Sequence, residues 1–492
     1  MSAQNGPHHN KAVVCYVASW AAYRPAAGSF LLDKLDPSLC THLVYSFAGL
    51  DNQTSSIKSL DPWQDLEDDY GKNGYKRMVA LKKRYPHLKV TIAIGGWNEG
   101  SHKYSVMAEN PEKRRKFVRS VMDFLEKFDF DGLDLDWEYP ARRDGRPQDK
   151  ANYVALVKEL KEAFSKHGYI LTAALGAGKE TMDAAYDLPK LSKYLDLIHM
   201  MCYDYHGTWD GVVGANAPLK GLHDGDTLSV EYTIKYMLAS GVSPYKLVLG
   251  LPMYGRNFKL TQPDVRDIVF GETAAASQGF KGPWTGENGF MGYNEICMEL
   301  KNSSSTWTKY WHEESSTPYL RDKERVITYD NARSIANKVK LAIEYGLGGL
   351  MVWSIDTDDF RGDCEFPNDA YLDFMTRQRE INSDPVISEV IERLHLADGN
   401  RQEILNRRSA YIVEDGKLNL RLPEPSSTNY GLMRTINNAV TLSIAEKRIE
   451  DEIKMVVKEN EVDVDDNTSG CNCNKASLVA MVVLVLFRFK FW

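Results

Sequence analysis

Eight short, apolar, β-prone runs recur between residues 13 and 356, with helical periodicities between them. The runs are VVCYVASW (13–20), HLVYSFAGL (42–50), KVTIAIGGW (89–97), GLDLDWEY (132–139), YILTAALGA (169–177), LDLIHMMCYDY (195–205), KLVLGLPMYG (246–255) and GGLMVWSID (348–356). Their near-continuous apolar character is that of strands buried on both faces, as in a parallel sheet. In 110–128, Asn110 stands as a cap, Pro111 suits a first turn, and Phe117, Val121, Phe124 and Phe128 recur at helical spacing. In 149–166, Tyr153, Leu156, Val157, Leu160 and Phe164 make one apolar stripe. In 330–346, Asp330 reads as a cap and Gly346 as a stop. Eight strands with intervening helices predict an α/β fold, a (β/α)8 TIM barrel.

The spacing also divides the chain. Residues 1–11 read as an N-terminal tail and 12–380 as the barrel. The interval between the seventh and eighth runs is too long for one helix. Residues 257–328, rich in Gly, Ser, Trp and Tyr, are expected to form a small α+β subdomain inserted between strand 7 and helix 7. Residues 381–466 are charged and read as a partly helical C-terminal extension, with helical patches at 387–407 and 436–459.

The fourth run carries an unusual alternation, Asp134-Leu135-Asp136-Trp137-Glu138. On a strand these acids share one face, with neighbours about 6–7 Å apart, while Leu133, Leu135 and Trp137 pack on the other. Crowded, desolvated carboxylates favour retention of a proton near neutral pH. Their expected place is the C-terminal rim of the barrel, where active sites of this fold sit. Two other readings are a buried salt-bridge ladder and a metal-binding carboxylate cluster, for which His199 and His206 on the sixth run are candidate suppliers.

Composition narrows the partners. A net charge of −8 argues against nucleic acid, which needs a basic stripe. The 10 Trp, 26 Tyr and 17 Phe lean towards carbohydrate, since Trp faces sugar rings well. The seven cysteines include no zinc spacing, and Cys471 and Cys473 are too close for a metal knuckle. Cys202, in LIHMMCYDY, reads as a buried free thiol. Sequons stand at Asn52, Asn302 and Asn467. The N-terminus lacks an apolar signal-peptide core. The run SLVAMVVLVLF (477–487) is too short to span a bilayer but fits the hydrophobic tail of a glycolipid-anchor signal over 467–492; a disordered sticky tail is the alternative.

FDGLDLDWEYP resembles the family-18 glycoside hydrolase signature D-G-x-D-x-D-W-E-Y-P, residue for residue from Asp131 to Pro140. KVTIAIGGW, MCYDYHG (201–207) and GGLMVWSIDTDD (348–359) are similar to the same family's blocks on strands three, six and eight. The similarity runs from about residue 12 to 378, and the insertion fits the chitinase branch, with YDYHGTWDG suggesting animal, arthropod-type chitinases. The resemblance implies hydrolysis of chitin and chitooligosaccharides by an endo-acting, retaining enzyme. In this substrate-assisted scheme the sugar's own N-acetyl carbonyl is the nucleophile. It assigns Glu138 as acid and base. Asp136 orients the acetamide and Asp134 shares its proton. Tyr203 holds the carbonyl oxygen, and Asp204 seats the sugar. It requires no metal or organic cofactor.

The resemblance carries further residues into a groove. Trp353 is its floor, and Trp97 and Trp209 are stacking platforms, with Trp20 and Trp63 extending the cleft. Tyr16, Phe47 and Met201 line the acetamide pocket. Asn98, Tyr139, Tyr254 and Arg256 supply polar contacts, and Glu287 reaches over the cleft from the insertion. It pairs Cys15 with Cys40 and Cys297 with Cys364, which implies an oxidising, extracellular setting, secreted or anchored at the cell surface. A monomer is expected. The chain has no cysteine-rich chitin-binding module, since only two cysteines follow Cys364. A chitin-binding lectin and an endo-N-acetylglucosaminidase acting on N-glycans are the competing readings; lectin relatives usually lose the acid, which is present here.

Overall fold

All eight apolar runs become strands that pair in parallel with their neighbours in a computed structural model of the chain. It describes residues 6–302, 304–364, 376, 379–380, 383, 411–414, 417–420 and 429–465. The strands are β1 (Ala12–Ala18), β2 (His42–Asp51), β4 (Lys89–Gly95), β5 (Gly132–Asp136), β6 (Ile170–Gly176), β7 (Leu197–Met201), β8 (Leu247–Pro252) and β14 (Gly349–Trp353). β1 pairs with both β2 and β14, so the sheet closes on itself as a (β/α)8 barrel. A short β3 (Ser56–Ser59) folds back antiparallel on β2.

Local chemistry sets the helices. Asn110 accepts from the amides of Glu112 and Lys113 and opens the helix Pro111–Phe128. Phe117, Val121 and Leu125 on its inner face are fully buried. The helix Ala332–Glu344 starts one residue later than expected: Asn331, not Asp330, caps it by accepting from Ser334 N. Asp330 is instead turned inward, where it accepts from Ser334 Oγ and from the buried Lys338 ammonium. Gly346, at φ +72°, ends this helix, with Leu347 N donating to Ala342 O.

The seventh run divides after Pro252. Its second half, β9 (Tyr254–Lys259), joins β10 (Phe290–Gly292), β11 (Thr308–His312), β12 (Thr317–Asp322) and β13 (Arg325–Thr328) in a five-stranded antiparallel sheet of order β10-β9-β13-β12-β11. With the helix Tyr293–Lys301 it stands between β8 and the helix Ala332–Glu344. It starts at Tyr254, three residues before the expected start of the insertion, because β9 continues directly from the barrel. Disulfides Cys15–Cys40 and Cys297–Cys364 are both formed, with Cα separations of 6.1 and 5.1 Å, and Cys202 is a buried free thiol.

The described core does not end near residue 380. The helix Gly431–Asp465 lies against Ala332–Glu344, with Leu432, Met433, Ile436, Ala439, Val440, Leu442 and Ala445 buried in the main core. Asp358, just beyond β14, accepts from Leu432 N and Met433 N and so satisfies two of the helix's orphan amides. Lys447 Nζ returns to the carbonyls of Ile343 and Glu344 at the end of the neighbouring helix. Asn437 bridges the buried His9 and Leu39 O. The charged composition of 381–466 hides this apolar stripe, which is why the sequence reading placed it in an extension. β15 (Tyr411–Glu414) and β16 (Lys417–Leu420) pair as an antiparallel ribbon. The helical patch at 387–407, the tail 467–492 with Asn467, Cys471 and Cys473, and the apolar run 477–487 lie outside the described residues. Among the described residues no helix is long and apolar enough to cross a membrane.

Ile436 is fully buried, so Ile436→Ala is expected to lower stability by about 2–5 kcal/mol, read by thermal unfolding; a loosely attached extension would show no shift. Burial raises Asp358 from 3.8 to about 7, against the amides that donate to it. The folded state therefore binds this proton more tightly than the unfolded chain. Its stability contribution is complete below pH 3.8 and is lost as pH rises through about 7. Melting temperatures measured across that window should fall less steeply for Asp358→Asn than for the parent.

Candidate active site

β5 delivers the acids to the barrel rim, but the strand ends at Asp136. Trp137 turns outward, packs against Tyr104 and Tyr153, and donates from Nε1 to Ser101 Oγ at 2.7 Å. Asp134, Asp136 and Glu138 are all buried. Asp134 is deepest. Its Oδ2 accepts from Tyr16 Oη at 2.6 Å and its Oδ1 from Thr172 Oγ1 at 2.5 Å. His199 Nδ1 stands 3.1 Å from the same Oδ1.

Asp136 lies above it, with Oδ1 buried and lacking a hydrogen-bond partner. Burial first, then the charges of Glu138 and Asp134, push Asp136 well above the usual carboxylate range. Burial likewise raises Glu138 to about 7, with Asp204 adding to the rise while Tyr139 and the Arg143 cation oppose it. The row therefore holds protons at neutral pH, as like charges in a desolvated site must.

The neighbouring strand ends surround the row. Trp353, closing β14, contacts Tyr16, Trp20 and Phe47 at ring separations of 5.7, 6.1 and 5.7 Å. Phe47 also stacks on Trp20 at 5.9 Å. Met201 and Tyr203, from the end of β7, pack into the same cluster. Gly176, at the end of β6, leaves room for Tyr139: a Cβ there would fall 2.9 Å from its Cε1. Trp63 is half-exposed, stacks on Tyr23 at 6.2 Å and carries the Lys72 ammonium over its ring. Trp97 and Trp209 are the most open large rings of the set, 59% and 58% exposed, and so are available to a ligand. Asn98 is exposed beside Trp97.

Asp204 links the barrel to the inserted sheet. Its Oδ1 accepts from Tyr254 Oη at 2.7 Å and from Arg256 Nε at 2.8 Å. The Arg256 guanidinium lies over Trp209, 5.2 Å from the ring centre. Glu287 is exposed, and its charge acts on Arg256. The two histidines considered as metal ligands part company: His206 pairs with Asp210 at 3.0 Å, whereas His199 faces Asp134. Among the described residues no group of three or more His, Cys, Asp or Glu could hold a metal ion.

Sequence reasoning missed two contributors, Arg143 and Thr172. Arg143 donates to the carbonyls of Trp97 and Glu138 at 3.0 and 3.1 Å, and its guanidinium covers Trp97 at 3.5 Å. Thr172 donates to Asp134, and His199 bonds Tyr16, the other donor to that carboxylate. Thr172 sits directly opposite Asp134 in the β5–β6 register, a signal available only once strands are aligned.

The model of the family described as glycosyl hydrolases family 18 matches residues 12–358. The chain is 47% identical over 454 residues to a protein of Drosophila melanogaster named probable chitinase 2, covering 91% of this chain and 84% of the relative. It is 39% identical over 362 residues to the endochitinase of Manduca sexta, covering 72% of this chain and 64% of that one. The crystal structure of Ostrinia furnacalis Group IV chitinase superposes with a TM-score of 0.69 at 41% identity, covering 72% of this chain and 95% of that one. With the barrel closed, the acid row at its rim and this extent of match, the chain belongs to glycosyl hydrolases family 18.

Proposed function

We propose that the chain is an endo-acting chitinase that hydrolyses β-1,4-linked N-acetylglucosamine polymers with retention of configuration, the substrate supplying its own nucleophile. The observation that carries this reading is the pairing of a buried, proton-holding Glu138 with Asp136, whose Oδ1 is buried and unpartnered. Glu138 gives its proton to the glycosidic oxygen as the bond to the anomeric carbon breaks. The carbonyl oxygen of the 2-acetamido group forms the new bond to that carbon and yields an oxazolinium. Asp136, passing its shared proton to Asp134, accepts the acetamide N–H and offsets the developing positive charge. The Tyr203 hydroxyl holds the carbonyl oxygen. Glu138, now a carboxylate, takes a proton from water as it attacks the anomeric carbon, and the acetamide is regenerated.

The groove supports a polymer ligand. Trp353 lies beneath the cleavage point, Trp97 and Trp209 flank it, and Trp20 and Trp63 continue the row of rings. Asp204 and Arg256 anchor the inserted sheet where it meets the cleft. Tyr16, Phe47, Met201, Tyr139, Tyr254, Asn98 and Glu287 supply the remaining wall. The names of the Drosophila, Manduca and Ostrinia relatives agree with chitin as substrate. Two disulfides favour an oxidising, extracellular location.

The direct test follows chitooligosaccharide hydrolysis by NMR with anomer resolution. The β-anomer should form first, and a cello-oligosaccharide of equal length, lacking the internal nucleophile, should stay intact. Glu138→Gln should lower kcat by about 100–10,000-fold with KM little changed; first-formed α-anomer refutes the mechanism. A protonated Glu138 is needed for leaving-group departure, so kcat/KM should fall as pH rises through about 7. Arg143→Ala removes a cation that favours the Glu138 carboxylate, and should move that limb to higher pH.

A further inference from the structure

We propose that Ser101 positions the catalytic acid: its buried hydroxyl, bonded to Trp137 on one side of Glu138 and to Tyr139 on the other, fixes the short segment from which Glu138 meets the glycosidic oxygen. This rests on the chitinase reading above. Ser101 is a positioning residue, since it acts through the two neighbours of Glu138.

Ser101 is 1% exposed and stands just ahead of the helix His102–Glu109. Its Oγ accepts from Trp137 Nε1 at 2.7 Å and donates to Tyr139 O at 2.8 Å. A hydroxyl carries one proton and an indole N–H can only donate, so both roles are assigned without ambiguity. Trp137 is buried and packed against Tyr104 and Tyr153, which makes its end of the bridge rigid. Glu138 is the single residue between two anchored neighbours. Helix capping does not account for this serine. Serine is favoured at an N-cap because its oxygen accepts from an orphan amide. Ser101 holds that position and makes no such bond. Its hydroxyl serves the segment after β5 instead.

The same helix holds the rest of the loop by a separate route. Ser105, one turn further on and buried, donates to Asp149 Oδ1 at 2.7 Å. Asp149 Oδ2 accepts from Arg146 N at 2.7 Å and from Ala141 N at 3.3 Å. Between these ties Ala141, Arg143 and Asp144 are left-handed, at φ 60°, 51° and 67°. Residues with side chains keep that conformation only where their surroundings impose it. Gly145 closes the loop onto both anchors: a Cβ there would fall 2.9 Å from Ser101 Oγ and 2.7 Å from Asp149 Oδ2. Loss of the Ser101 hydroxyl therefore frees the start of the loop while Ser105 and Asp149 keep its end. The titratable groups facing Glu138 are Asp136 on β5, Tyr186 beyond β6, Tyr203 and Asp204 beyond β7, and Tyr139 and Arg143 on the loop itself. A substitution at Ser101 removes none of them.

Leaving groups separate this role from a contribution to stability alone. A departing sugar needs the proton of Glu138, whereas an acidic aryl alcohol departs with little help. Ser101→Ala should lower kcat/KM for chitotetraose about 10–100-fold, and for methylumbelliferyl chitobioside by less than about threefold. Ser101→Thr, which keeps the hydroxyl, should bring chitotetraose back to within about threefold of the parent. Trp137→Phe removes one half of the bridge, should show the same selective loss, and stands in if Ser101→Ala does not fold. Equal losses on both substrates, no loss on either, or the same selective loss in the Ala and Thr variants overturns the role. In 13C NMR of the ligand-free protein, the Glu138 carboxyl, identified by its disappearance in Glu138→Gln, should titrate at about 7 in the parent. In Ser101→Ala its midpoint should fall by about one pH unit, because water reaches the freed segment and burial no longer penalises the charge as strongly; an unchanged midpoint overturns the role. A parent that cleaves neither substrate refutes the chitinase reading instead, and the carboxyl titration then decides the positioning role by itself.

Discussion

Three carboxylates stacked at the end of one strand in a buried site cannot all be charged, and the rest of the active end of this molecule is arranged around that constraint. Closure of the barrel sets β6 beside β5 and turns β1 towards the same interior from across it, so hydroxyls from both strands reach the deepest acid, Asp134. The same closure removes water from Asp136 and Glu138 and raises both. A graded row results: hydroxyl donors hold the acid at the bottom, and desolvation retains protons nearer the rim. An open sheet could place the same residues in sequence but could not desolvate them.

The aromatic residues divide according to the same geometry. Tyr16, Phe47 and Trp353 are packed against one another and against the apolar interior, where their contacts stabilise the fold as well as shape the pocket. Trp97 and Trp209 gain little from folding because most of each ring remains in water. Each is steadied by a cation, Arg143 or Arg256, and each of those cations also ties its platform to the acids: Arg143 through Glu138 O and Arg256 through Asp204. Platform and reacting groups are thereby held in fixed relation, which is what positioning a polymer requires.

The barrel strands were legible in the sequence because a strand buried on both faces leaves a continuous apolar run. The acid row was legible because alternation of charge at such a place is otherwise unfavourable. Boundaries were less legible where a run outlasts its strand: LDLIHMMCYDY is apolar through Cys202, yet β7 ends at Met201, and Tyr203 and Asp204 lie on the loop that follows. Arg143 and Thr172 were missed for a different reason. Their partners are a ring on another strand and a carboxylate across a register, and neither relation is visible along the chain.

The closing helix shows where one-dimensional reading meets its physical limit. Residues 431–446 complete the barrel's helical layer although 66 residues separate Cys364 from Gly431. Loop-closure entropy grows only slowly with length, so such a detour is thermodynamically tolerable if the docked end is well held. It is held at several independent points. Asp358 meets the helix's first amides, Tyr430 Oη reaches Lys34 O, and Asn437 joins His9 and Leu39 O. Each partner lies in the first 40 residues or immediately after β14, the two segments that a barrel must bring together to close. The helix therefore ties together the segments that flank the first and last strands, and so adds a clamp to the closure on which the buried rim depends.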